Sequence, residues 1–118
     1  MTDIQVYGLK NCDTCKKARA WLDQRDIGHV FLDVRESPLD RKTVAAWIDE
    51  LGSDTLINRR GTTWRQLPAA DQAKAEDAAG ACALILAHPA LMKRPVFDLG
   101  RERLVGFGKP QQAVLAGL

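Results

Sequence analysis

The sequence predicts an α/β fold with a mixed sheet, assembled as β-α-β, then helices, then β-β-α. Three observations predict it. Ile4-Gln5-Val6-Tyr7 and Val30-Phe31-Leu32-Asp33-Val34 are short runs rich in strand formers, separated by one amphipathic segment. Apolar residues then recur at helical spacing through the middle of the chain. Near the end, Val96-Phe97-Asp98-Leu99 and Arg103-Leu104-Val105-Gly106-Phe107 flank Gly100 as a hairpin.

The first strand ends at Gly8, and after the turn Leu9-Lys10-Asn11 a helix is expected from Cys12 to about Arg25. Ala18, Trp21 and Leu22 form its apolar stripe, and Gly28 suits its C-terminal end. A β-α-β unit this short favours parallel strands with a right-handed crossover. Ser37 reads as the N-cap of a second helix with Pro38 at its first position, and Val44, Trp47, Ile48 and Leu51 give it one apolar face up to Gly52. Asn58 to Arg65 is too long for a tight turn and too polar for core. Leu67 to Ala87 is expected to be helical with a break near Gly80, ending at His88-Pro89. Pro110 opens a last helix carrying Val114, Leu115 and Leu118. This order is the thioredoxin-like plan, one domain over residues 1–118 with a helical insertion at about 37–90.

The 118 residues suit a single core, and at this length roughly two thirds of the unfolded chain's surface is buried on folding. The 46% hydrophobic content supplies that core, so no structural metal or disulfide is needed. A net charge of +2 does not call for nucleic acid, no apolar run approaches the ~18 residues of a membrane span, and the N-terminus does not read as a signal peptide. Three cysteines do not make a secreted disulfide framework, so a cytoplasmic location is expected.

Chemistry concentrates at Cys12-Asp13-Thr14-Cys15. A thiol attacks as the thiolate, which lowers the useful pKa below about 8.5. Strand, turn, cysteine and helix in succession place Cys12 at a helix N-terminus, where unpaired N–H groups favour an anion. That effect is worth about 0.3–2 kcal/mol, or roughly 0.2–1.5 in pKa. Lys10 and Lys16 add a little to it. Cys15, one turn deeper on the same face, is placed to attack a mixed disulfide and release the partner thiol. The competing readings are two ordinary helix cysteines or a zinc site. For zinc, only the scattered Cys82, His29 and His88 remain as further ligands. Cys82 reads as a buried packing thiol and His88 as a helix-end residue.

In the thioredoxin-like plan a cis proline precedes the third strand beside the redox cysteine. Pro95 is the matching position, and Arg94 is then expected to face Cys12 with a fork suited to a carboxylate or oxyanion. Arg60 is a second candidate cation in the polar middle stretch.

Together these segments resemble the arsenate reductase superfamily, with its Spx and YffB branches. The resemblance rests on residues 7–19, on Asn58-Arg59-Arg60-Gly61-Thr62-Thr63-Trp64-Arg65, on His88 to Pro95 and on Leu104-Val105-Gly106-Phe107, and it is nearest to the YffB type. It implies an arsenate-reductase-like thiol–disulfide oxidoreductase linked to glutathione as co-substrate, with no bound cofactor or metal and glutaredoxin as a reducing partner. Cys12 and Arg94 are then catalytic with Cys15 resolving, while Asn11, Arg60, Arg94 and Pro95 bind substrate. Two features depart from the arsenate-reducing pattern. The activating histidine is Gly8 here, and the third oxyanion-binding arginine falls near Gly106-Phe107. A thiol substrate is therefore favoured over arsenate, since a two-cation site is a weaker oxyanion clamp. The alternative from the Spx branch is a redox-sensing transcriptional regulator that binds RNA polymerase.

Overall fold

The computed structural model describes residues 3–118. They divide into two compact units: one runs to Ser37 and resumes at Arg94–Leu118, and the other is Pro38–Lys93.

The first unit holds a four-stranded mixed sheet in the order β2-β1-β3-β4, formed by β1 (Ile4–Gly8), β2 (His29–Asp33), β3 (Val96–Asp98) and β4 (Arg103–Val105). β1 runs parallel to β2 and antiparallel to β3, and β3 and β4 form the hairpin. The register sets Phe31, Val6, Phe97 and Leu104 in one row across all four strands. Because side chains alternate along a strand, that row and Ile4 share a face. Helix α1 (Asp13–Gln24) covers it with Ala18 and Leu22, and α7 (Lys109–Ala116) adds Leu115. Val6, Ala18, Leu22, Phe97 and Leu115 are fully buried, each large apolar side chain contributing about 1.5–3 kcal/mol by leaving water. Phe107 packs edge-on against Trp21, ring centroids 5.6 Å apart.

The second unit contains α2 (Arg41–Leu51), α3 (Ser53–Leu56), α4 (Thr62–Gln66), α5 (Ala69–Ala73) and α6 (Ala78–Ala87), with 3₁₀ turns at Lys74–Glu76 and Pro89–Leu91. α2 and α6 pack together. Val44, Leu56, Ile85 and Leu91 are fully buried within the unit's apolar interior. A single bridge between Ile57 and Met92 closes the unit.

Several sequence expectations are corrected in detail. The first helix ends at Gln24 with Arg25 as C-cap, and Asp26 (φ 55°), not Gly28, makes the left-handed exit. Gly28 instead precedes β2 and accepts the Ile4 N–H. The cap of α2 is Asp40, whose carboxylate takes the Thr43 N–H at 2.7 Å; Ser37 lies outside the helix, its N–H given to the Asp33 carbonyl. Asp40 directly precedes Arg41, so its carboxylate reaches the third amide of the helix, Thr43, as an N-cap does. The polar middle stretch is partly helical, as α4. The long helix breaks at Asp77 rather than Gly80, because Asp77 caps α6 by accepting the Gly80 N–H at 2.6 Å. Gly80 is within the helix, and a Cβ there would run into the Lys74 carbonyl oxygen. Leu118 lies beyond α7 and is exposed.

Candidate active site

β1 and α1 are joined by a four-residue turn, and the turn is tied down by backbone and by one carboxylate. The Cys12 N–H closes on the Leu9 carbonyl at 3.2 Å, and the Val34 N–H holds the Gly8 carbonyl at 2.9 Å. Asp33, at the end of β2, accepts the Lys10 N–H on one oxygen (2.9 Å) and the Arg35 and Glu36 N–H groups on the other (2.8 and 3.2 Å). Hydrogen bonds led by Lys10 hold its carboxyl below the usual carboxylate range. Asp33 thus pins the turn before Cys12 to the turn after β2. The sequence reading passed over it; its one signal is an acid ending the otherwise apolar Val30-Phe31-Leu32 run.

Cys12 occupies the N-cap of α1 in extended conformation (φ −93°, ψ 122°), its carbonyl already accepting the Lys16 N–H. Its side chain is half-buried and makes no capping hydrogen bond of ordinary geometry, yet the Cys15 N–H points toward the sulfur. Partial burial is the largest single influence on this thiol and opposes ionisation. The Cys15 N–H, the Cys15 thiol and the Arg94 guanidinium, by hydrogen bond and charge, together outweigh it and leave the Cys12 pKa below its ordinary value. Lys10 takes no part in this, its ammonium being directed to Glu36 at 2.8 Å.

Cys15 lies beneath, fully buried on the inner face of α1. Burial pushes its thiol up to about 11. The Leu9 N–H works against that, and the neighbouring Cys12, as hydrogen-bond partner and as charge, works with it. One thiol is therefore poised to ionise first while the other keeps its proton. Both are reduced and free, as is buried Cys82 of α6, whose Sγ faces the Arg41 carbonyl at 3.7 Å.

The Arg94–Pro95 peptide bond is cis and leads directly into β3, with Pro95 buried. The Pro95 carbonyl accepts the Gly106 N–H at 2.8 Å, so the position matching the third arginine of the arsenate-reducing pattern lies beside the proline. Phe107 there turns its ring onto Trp21 and Phe97, and no cation stands at these two positions. Cys12, Cys15, Arg94 and Pro95 are thus gathered in the first unit. Asn11 is exposed in the turn, directly before Cys12. Arg60 is exposed in the second unit, before α4, its own N–H bonded to Asn58 Oδ1 at 3.1 Å. His88 is an exposed helix-end residue. Among the described residues no cluster of His, Cys, Asp and Glu is arranged to hold a metal ion, and no helix is long and apolar enough to cross a membrane.

The model of the ArsC family matches residues 7–115, which include every candidate named above. The chain belongs to the ArsC family. A protein of Haemophilus influenzae described as uncharacterized is 40% identical over 115 residues, covering 96% of this chain and 99% of its own. Among solved structures, a YffB protein is 42% identical with a TM-score of 0.89, the match covering 96% of this chain and 98% of that one. The global transcriptional regulator Spx of Streptococcus pneumoniae is 26% identical over 110 residues, covering 92% of this chain and 81% of the regulator. The α/β architecture with its mixed four-stranded sheet is that of the ArsC and thioredoxin-like neighbours.

Proposed function

We propose that this ArsC-family chain is a glutathione-linked thiol–disulfide oxidoreductase that works through the Cys12 thiolate. The observation that carries the reading is the opposite treatment of two neighbouring thiols: Cys12, half-exposed beside Arg94, is eased toward the anion, while buried Cys15 is held protonated. A nucleophile needs the first environment and a resolving thiol the second. In the forward step the Cys12 thiolate attacks one sulfur of a disulfide substrate. A Cys12 mixed disulfide forms, and the other sulfur leaves as a thiolate that takes a proton from water. Arg94 holds a carboxylate or the departing anion near Cys12 through its fork. Asn11 and the backbone at Pro95 complete substrate binding in this reading, and glutaredoxin or glutathione returns Cys12 to the thiol.

The apolar filling at Gly106-Phe107 supports a thiol substrate over arsenate, because losing one donor from an oxyanion site costs roughly 10²–10³ in rate. The test sets turnover of glutathione mixed disulfides beside arsenate reduction with glutaredoxin supplied. Turnover of the mixed disulfides that vanishes in Cys12→Ser, with arsenate reduction at least a hundredfold weaker, is expected. Efficient arsenate turnover with no glutathione binding would overturn it. Likeness to Spx favours a second reading, a redox-sensing regulator. Oxidant-dependent capture of the RNA polymerase alpha subunit by the purified chain would decide for it.

A further inference from the structure

Gly8 ends β1 opposite Asp33, and alternation from Ile4 and Val6 turns its face toward α1. Its φ lies outside the left-handed region, so the backbone itself does not require glycine. Space does. A Cβ built on Gly8 collides with Cys15 Sγ, while its other neighbours, Phe31 Cε1 at 3.4 Å and Cys15 Cβ at 3.5 Å, are at ordinary contact. The sulfur of Cys15 therefore fills the room that any other residue's side chain would take at position 8. The strand backbone here is held in place, so the Cys15 side chain is what must move. The Gly8 carbonyl is held by the Val34 N–H at 2.9 Å, and the Leu9 N–H faces the sulfur.

We propose that Gly8 is the positioning residue that seats the Cys15 thiol beneath Cys12, and thereby fits this site to two-thiol rather than one-thiol chemistry. The inference rests on the oxidoreductase reading and adds to it the route by which the mixed disulfide is resolved. When Cys12 carries a substrate thiol, it is neutral and no longer raises the Cys15 pKa by its charge. Cys15 gives its proton to water, and its thiolate attacks Cys12 Sγ. The Cys12–Cys15 bond forms as the bond from Cys12 to the substrate sulfur breaks. That sulfur departs with the electron pair and is protonated by solvent. The substrate sulfur is reduced, the cysteine pair is oxidised, and two equivalents of external thiol restore the pair. A larger residue at position 8 displaces the attacking sulfur and leaves only external thiols to release the substrate.

Gly8→Ala is the test, read by the dithiol-to-disulfide equilibrium of Cys12 and Cys15 in dithiothreitol redox buffers, quenched and weighed by mass spectrometry. A shift of at least tenfold toward the dithiol is expected, with the limiting alkylation rate of Cys12 at high pH changed less than about twofold. Gly8→Ala combined with Cys15→Ala guards against simple loss of folding. Removing the sulfur removes the collision, so the double variant is expected to regain most of the Tm that Gly8→Ala loses. An unchanged equilibrium in Gly8→Ala overturns the proposal. So does an equal Tm loss with and without Cys15, which would place the clash on the backbone. A wild-type protein whose Cys12 exchanges normally but never pairs with Cys15 also overturns it, while leaving the Cys12 reading intact. An unreactive Cys12 would sink that reading instead, and the Tm comparison would still decide whether Gly8 seats the sulfur.

Discussion

The Arg94 guanidinium lowers the pKa of the Cys12 thiol by hydrogen bonding and by charge, coupling the arginine of the cis Arg94–Pro95 bond to the residue before the first helix. Its positive charge favours the thiolate over the thiol. The alkylation rate of Cys12 against pH, followed in Cys15→Ser to isolate one thiol, is expected to have its midpoint below about 8.5. Arg94→Ala should raise that midpoint by about 0.5–1, making alkylation roughly three- to tenfold slower at neutral pH. Arg94→Lys should recover part of the loss, since the charge remains but the fork does not.

Cys15 carries the opposite expectation. Its pKa, pushed up to about 11, means that the folded protein retains a proton the unfolded chain gives up near 8.5. Stability from this group is therefore complete below about 8.5 and falls as pH rises through the interval toward the folded value. Thermal unfolding of the reduced protein should show Tm declining between those limits, and Cys15→Ala should lack that part of the decline. Native-state alkylation at neutral pH should label Cys15 at least tenfold more slowly than Cys12, as judged by peptide mass.

Asp33 acts on the same turn from the side of β2. Its pKa is depressed, so its contribution is present above about 3.9 and is lost as pH falls through the lower folded value. Asp33→Ala removes the acceptor for three N–H groups. A cost of about 1 kcal/mol is expected, of the size seen when a carboxylate cap is lost. Hydrogen exchange at the Lys10 amide should accelerate markedly in the variant and remain slow in the wild type.

Gly80 and Gly52 separate two reasons for glycine. Gly80→Ala drives a methyl into the Lys74 carbonyl and should lower stability by about 1–3 kcal/mol in urea denaturation, as overpacking does. Gly52 has open space where a Cβ would sit but adopts φ 86° and ψ 146°, an essentially glycine-only conformation that costs any other residue on the order of 1–3 kcal/mol. Gly52→Asn should therefore cost as much as Gly52→Ala, because a ψ of 146° lies outside the left-handed helical basin that asparagine tolerates, and Gly80→Asn should likewise be no better than Gly80→Ala.

What the amino-acid order determined by itself is the part governed by neighbours a few residues apart. Strand runs, the apolar stripes of α1 and α2 and the glycine stop at Gly52 are local signals, and so is the seating of Cys12 at a helix start. They suffice for the order of elements and for placing Cys12 at the start of α1. Tertiary structure decided the rest. Ser37 reads as the cap of α2 in the sequence, and the observed chain path gives that place to Asp40. Gly80 looks like a helix break until the Lys74 carbonyl is found against it. Asp33 gains its role from Lys10, twenty-three residues away, and Gly8 from the sulfur of Cys15 on the helix that packs over its strand. The reason is physical: hydrogen bonds and steric exclusion act within a few ångströms in space, and sequence spacing reports such closeness only inside a single helix or strand.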